Sequence, residues 1–474
     1  MSRSRSIFGL ILCIAVSPLS AAPLLLEEVL ASVRAQYPPQ LASLIERDLA
    51  NGRVVQALGA FDLNLSGSIG MRPAGYYDGR SGAVALEQPL GNWGGSVYGG
   101  YRLSSGFLPD YNKERTGGDG EVVLGVRLPL LRDSVIDRRR ASLWQAQMDQ
   151  QLADPLILRQ YLDFVRASSL AYYQWMAAGM RLSLAEDLLG LAKKRDSAIA
   201  EQVKRGASAP IVQVDNQRLV VSREIGVVQA RRRFEAAGIE LSLFWRDAQS
   251  GEPRIAGRDR LPRAFPDHQR PEGSQLSADV AKAMVQRPEL RRLELSLQKL
   301  DVERRLALNQ RLPNLDLGVQ GAQSLSDNSK EQKIDRTEVE ARLEFRLPLQ
   351  RREASGRLQQ AISGIARLQQ EQRFARDRIA AEVRDSYSAL LAADDSLRQS
   401  RLNVELARQL ERAEGDRLAQ GATDLLALQI REQATFDAQS LEVEATADFF
   451  RALAHYRAAM AADAPPNLLS GPRR

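Results

Sequence analysis

Few side chains in this sequence are spaced for chemistry. The two histidines, His268 and His455, lie far apart, and neither has a Cys or His neighbour at metal-ligand spacing. Cys13 is the only cysteine, so the rest of the chain can hold neither a thiolate site nor a disulfide. The many carboxylates fall at helix-surface positions beside basic residues, as ion pairs do. No phosphate-binding loop follows any strand pattern. The residues therefore point away from an enzyme, and no cofactor or metal is expected. Tyr172, Tyr173 and Trp175 could form a ligand platform, but their spacing suits packing between helices better.

The composition says what must position such residues. Of 474 residues, 26% are charged and only 6% aromatic. Ala, Leu, Gln, Arg and Glu dominate the central stretches, as in long helices. The net charge of +6 comes from interspersed acids and bases, which describes solvated helix faces rather than a nucleic-acid footprint.

The N-terminus reads as a signal peptide over 1–22. Arg3 and Arg5 are basic, Ile7 to Val16 is apolar, and Ser20-Ala21-Ala22 offers cleavage after Ala21 or Ala22. No later stretch has the roughly 20 apolar residues of a membrane-spanning helix. A helical pattern runs from Leu24 to about Leu58, interrupted at Pro38-Pro39. Alternation follows, at Phe61 to Met71, Ala83 to Leu90, Val97 to Leu103, and Val122 to Leu130, with one apolar and one polar face. Turns are expected at Tyr77-Asp78-Gly79 and Gly117-Gly118-Asp119-Gly120.

A helix is then expected from near Asp133 to Arg205, kinked or broken at Pro155. The chain turns at Gly206-Ala207-Ser208, with Ser208 as a cap and Pro210 in the first turn of a helix returning to about Trp245.

The stretch from Tyr172 to Gly206 recurs without a gap at Tyr387 to Gly421. Its flanks recur in the same order. A Pro-rich linker over 248–275 opens a helix from Leu276 to Leu308, with Pro288 matching Pro39. Alternating segments follow at Leu315 to Gly321 and Val339 to Leu349, then a long helix to Gln420, the turn Gly421-Ala422-Thr423, and a last helix to about Ala461. The expected division is a first repeat over 23–247 (strands 61–130, hairpin 133–246), a second over 276–462 (strands 315–349, hairpin 350–462), and a loose tail over 463–474.

The helices are expected to be occupied with each other: Leu402, Leu406, Leu410 and Ala413, and likewise Leu184, Leu188 and Leu191, have coiled-coil spacing. The oily strand faces should then meet lipid and the polar faces water. Six strands are too few for a closed barrel, and an open edge in lipid is not tolerated. Copies of the chain must share one barrel. Trp93, Tyr98 and Tyr101 would mark the membrane interface. A periplasmic coiled-coil scaffold or adaptor without a pore is the alternative, disfavoured by the alternation at Val339–Leu349.

This order of elements resembles the TolC-like outer-membrane efflux proteins over nearly the full length. The local matches are Leu312-Pro313-Asn314 followed by Leu315-Asp316-Leu317, the strand exits Arg127-Leu128-Pro129-Leu130 and Arg346-Leu347-Pro348-Leu349, and the turns at Gly206 and Gly421. The resemblance implies a mainly α fold with a membrane β-barrel. It implies two tandem repeats of helix, strands and long helical hairpin, and a homotrimer sharing one barrel and one periplasmic α-helical tunnel. The implied role is a passive exit duct of a tripartite efflux or type I secretion system, with a periplasmic adaptor protein, an inner-membrane pump and outer-membrane lipid as partners. It places adaptor docking at the tips Gly206, Ala207, Ser208, Gly421, Ala422 and Thr423. Two departures stand out. The family has two strands per repeat, whereas the first half here has four; the extra pair, about 83–103, could enlarge the barrel or form a longer external hairpin, and the length of Val97 to Leu103 favours the first. Family members also place aspartates beyond the second tip; here the sequence reads Leu425-Leu426-Ala427, leaving Asp424 and, past the first tip, Asp215 as the gate acids available.

Overall fold

A computed structural model describes residues 22–108, 115–272, 275–326 and 337–465. The expected signal peptide, up to residue 21, and most of the tail lie outside them. The elements are α1 (Leu26–Gln36), α2 (Pro38–Leu58), β1 (Asn64–Arg72), β2 (Asp78–Pro89), β3 (Ser96–Phe107), β4 (Glu121–Pro129), α3 (Arg138–Lys204), α4 (Pro210–Ser242), α5 (Leu276–Gln286), α6 (Pro288–Asn309), β5 (Asn314–Ser324), β6 (Glu338–Arg346), α7 (Arg352–Ala419) and α8 (Leu425–Ala459).

Prolines set several boundaries. Tyr37 and Arg287 are extended, as residues before proline must be, and Pro38 and Pro288 open α2 and α6. Pro288 thus matches Pro38, not Pro39. Pro155 does not divide α3, which continues through it. One missing backbone donor is tolerated where Ala153 and Ile157 on either side are buried against Ala50 of α2. Pro129 ends β4 within the sheet, and β6 stops at Arg346, short of Pro348. Asp78 and Gly79 belong to β2 rather than to a turn. The chain leaves the strands for the long helices through positive-φ residues, Asp133 (φ 66) and Arg351 (φ 48).

The described residues form two compact units, each drawing on both halves of the sequence. One gathers 38–163, 275–385 and 459–465. It holds one six-stranded antiparallel sheet in the order β1-β2-β3-β4-β5-β6, with neighbours in space following the chain. Below the sheet, α2 meets α3 through Arg47 and Asp154 at 2.7 Å, and α6 meets α3 through Lys299 and Asp149 at 2.6 Å. Leu293 of α6 packs with Leu368 and Ala375 of α7.

The other unit gathers 22–37, 164–272 and 386–458. Its core is aromatic. Trp175 is fully buried and donates its Nε1–H to Ala256 O at 3.3 Å, and the Tyr172 hydroxyl donates to Leu24 O at 2.9 Å. Tyr173 stacks on Phe450 at 4.8 Å, and Phe265 stacks on Phe450 at 5.9 Å. The Pro-rich stretch is therefore a packed strap rather than a loose tether.

The buried faces of the long helices differ from the expected seams. Ala178, Leu182, Ala185, Ala192 and Ile199 line α3, and Leu390, Leu397 and Val404 line α7, at heptad spacing. Leu402, Leu406 and Leu410 instead face outward, each about half exposed.

Candidate functional site: an amphipathic sheet and two hairpin tips

Register decides which residues share a sheet face. Leu65 pairs with Leu86, Leu86 with Gly99, Gly99 with Leu124, Leu124 with Gly321 and Gly321 with Val339. Cross-strand partners point the same way, so this row and its alternates form one apolar face. No described residue covers its exposed part: Ile69 is 91% exposed and Val339 76%. The opposite face carries Arg102, Glu121, Arg127, Glu340, Arg342 and Glu344, with Arg102 and Glu121 ion-paired.

The interface aromatics divide. Tyr101 sits on the apolar face, opposite Val84 and Val122, and its hydroxyl donates to Asp119 O at 2.7 Å. Trp93 is exposed in the β2–β3 turn. Tyr98, however, lies on the polar face. Its ring covers Gly125, its partner on β4, and its hydroxyl meets Gln320 Oε1 at 3.1 Å. Alternation moves it to the face opposite Tyr101, three residues on. A further aromatic group where β1, β2 and β3 meet, Tyr76, Tyr77 and Phe107, was not singled out from the sequence. Its rings lie 4.9 to 5.8 Å apart.

The β2–β3 turn is anchored by a buried cation. Arg140, at the start of α3, donates from Nε to Asp137 Oδ2 at 2.9 Å and from Nη1 to Asn92 O at 3.1 Å and Ser134 O at 3.0 Å. Its Nη2 donates to Asp133 O at 2.6 Å. Gly94 has φ +69, and a Cβ there would come within 2.1 Å of Asp133 O. Beside this knot, burial pushes the Asp133 carboxyl up from its ordinary range, only partly offset by Arg132.

At the far end of each hairpin the backbone repeats itself. Gly206 N donates to Val203 O at 2.9 Å and Ala207 N to Gln202 O at 2.8 Å. Gly421 N donates to Leu418 O at 3.0 Å and Ala422 N to Arg417 O at 2.9 Å. Both glycines have φ +73. This is the Schellman termination, which needs a left-handed residue and so favours glycine. Gly206, Ala207, Gly421 and Ala422 are exposed, Ser208 and Thr423 half-buried. The expected cap differs at the first tip: Ala209, not Ser208, precedes α4 and offers no side-chain bond. At the second, Asp424 Oδ1 accepts from Ala427 N at 2.8 Å and caps α8. Asp215 is exposed on α4, 3.5 Å from Arg218. Behind the tips, Asn216 Nδ2 donates to Asp196 Oδ1 at 3.0 Å, joining α4 to α3, and Arg195 ion-pairs with Glu432, joining α3 to α8.

The aromatic triplet is core. Burial pushes the Tyr173 phenol up to about 12 and that of Tyr172 higher still, so both stay neutral. His268, unremarkable in the sequence, lies 3.6 Å from the buried Asp394, which Arg398 also faces at 3.4 Å. Among the described residues no group of His, Cys, Asp and Glu could hold a metal ion, and no helix is long and apolar enough to cross a membrane.

Solved structures match this architecture. The outer-membrane channel OprN aligns with a TM-score of 0.65 at 13% identity, covering 92% of this chain and 89% of that one. The fold is that of the TolC-like outer-membrane channels. The open-state MtrE channel of Neisseria gonorrhoeae matches with a TM-score of 0.65 at 14% identity, covering 92% of this chain and 88% of its own. The CmeC channel of Campylobacter jejuni gives 0.63 at 11%, covering 92% and 85%. No protein-family model and no curated protein matches the sequence.

Proposed function

We propose that this protein is an outer-membrane exit duct, a homotrimer that conducts cargo passively across the periplasm and the outer membrane. One observation carries the reading. The sheet has an apolar face that is largely exposed, a polar opposite face, and β1 and β6 edges that pair with no described strand. Such a sheet is stable only where lipid covers one face and neighbouring strands close its edges. Its even number of antiparallel strands lets β6 of one copy meet β1 of the next in the same antiparallel sense. Over the twelve residues of β3 the chain climbs about 37 Å, or about 28 Å once tilted, enough to cross an outer-membrane apolar band of about 25 Å.

The helices support the same assembly. Val214, Val221, Ile225 and Val228 on α4, and Leu402, Leu406 and Leu410 on α7, form exposed apolar stripes suited to a neighbouring copy. The tandem repeats then contribute two hairpins per copy to one α-helical tunnel. The tips 206–208 and 421–423 dock a periplasmic adaptor, an inner-membrane pump supplies the energy, and the cargo route is efflux or type I secretion. The channel function of the structural relatives supports this role. With Asp424 engaged as a helix cap, Asp215 is the freer gate acid.

Membrane fractionation and mass determination in detergent test the proposal. A trimer in the outer membrane is expected. A soluble periplasmic monomer would overturn it in favour of a coiled-coil scaffold.

A further inference from the structure

We infer that the extra strand pair widens the barrel, so that three copies share eighteen strands and the exit passes bulky hydrated cargo, including polymer chains, selected by neither charge nor a narrow wall. This rests on the trimeric duct proposed above. The pair β2–β3 is not an external hairpin. β2 is hydrogen-bonded along the whole of β1 on one side and along β3 on the other, and β3 continues the ladder to β4. The apolar row from Leu65 to Val339 crosses both strands without a break. The turn between them is held by Arg140 and fits only a residue without a Cβ at Gly94. Removing the pair from the wall would strip β1 of its partner.

Barrel diameter grows nearly linearly with strand number. At a strand spacing of about 4.8 Å and a tilt of about 40°, eighteen strands give a backbone diameter of about 35 Å, against about 24 Å for the twelve that two strands per repeat would supply. The inserted strands narrow this little, because much of their polar face is small: Ser81, Ala83 and Ala85 on β2, Gly100 and Ser104 on β3. Acids and bases alternate on the remaining wall, as Glu340, Arg342 and Glu344 do, so no single sign of charge dominates.

The width can be read from outside the cell, independently of the hairpin tips. Ser68→Cys on β1 and Ser81→Cys on β2 place thiols on the polar face, and PEG-maleimides of graded mass added to intact cells report the largest that enters. A variant lacking residues 73–107 provides the four-stranded comparison. The expected result is labelling of both thiols in the full chain, with a cut-off diameter about one third smaller at Ser68→Cys in the deletion. An outer-membrane trimer with equal cut-offs would overturn the wide barrel and leave the duct reading standing. A soluble monomer would overturn both. Should the deletion fail to assemble, a disulfide between Ser68→Cys and Ala83→Cys in the full-length trimer decides. These positions are partners on β1 and β2, so the bond forms if the pair is in the wall, and its absence counts against the inference.

Discussion

Arg140 shows at the scale of one residue how the end of the sheet meets the helices. Its guanidinium and the Asp137 carboxylate are both buried, so removing one strands the other in a poorly solvated site. Arg140→Ala should cost about 3 kcal/mol, read as a lower denaturation midpoint of the purified protein in detergent. A loss under about 0.5 kcal/mol would mean that water replaces the guanidinium freely. Asp133 makes the opposite prediction. Its folded carboxyl is raised, chiefly by burial, so the folded state holds the proton more tightly than the unfolded chain. Stability from this group is fully present below the ordinary carboxylate value and is lost as pH rises through the folded one. Asp133→Asn keeps the positive φ accessible and removes the charge. It should raise the melting temperature at pH about 7 and leave it unchanged near pH 3.5. Equal shifts at both values would refute the assignment.

Each helical hairpin, as an element, ends at a glycine that the fold needs for its backbone, while the tip around it is free. A Cβ on Gly206 or Gly421 meets nothing within 4 Å, so alanine there costs only left-handed strain, about 1 kcal/mol. Gly206→Ala and Gly421→Ala should therefore assemble normally, with faster amide exchange confined to the altered tip. Reduced adaptor cross-linking in an assembled variant would support docking at these turns; unchanged cross-linking at both would place it elsewhere. The tip glycines and most strand bounds were legible because backbone requirements are local, whereas Asp78-Gly79, expected as a turn, lies inside β2. The caps were less so. Ser208 and Asp424 have equally plausible cap chemistry, yet only Asp424 stands immediately before its helix.

At the scale of the whole molecule, the outward leucines of α7 test the proposed trimer. Changing Leu402, Leu406 and Leu410 together to Gln removes an apolar stripe that is exposed in the single chain. Helix content by circular dichroism should persist while native mass falls from trimer to monomer. A trimer that survives would show that the tunnel closes through other faces.

The sequence by itself determined the order of elements, the two tips, the amphipathic strands and the absence of metal-ligand spacing at its histidines, because each depends on residues near one another in the chain. Only tertiary structure decided which residues share a face. Strand register moved Tyr98 from the interface aromatics to the polar face and drew β2 and β3 into the sheet. Helix packing selected Leu390, Leu397 and Val404 for burial and left Leu402, Leu406 and Leu410 outside. Both stripes have helical spacing, and a periodic pattern shows that a helix has an apolar face without saying which neighbour fills it. That choice depends on how closely the partner helix approaches, which residues distant in sequence decide.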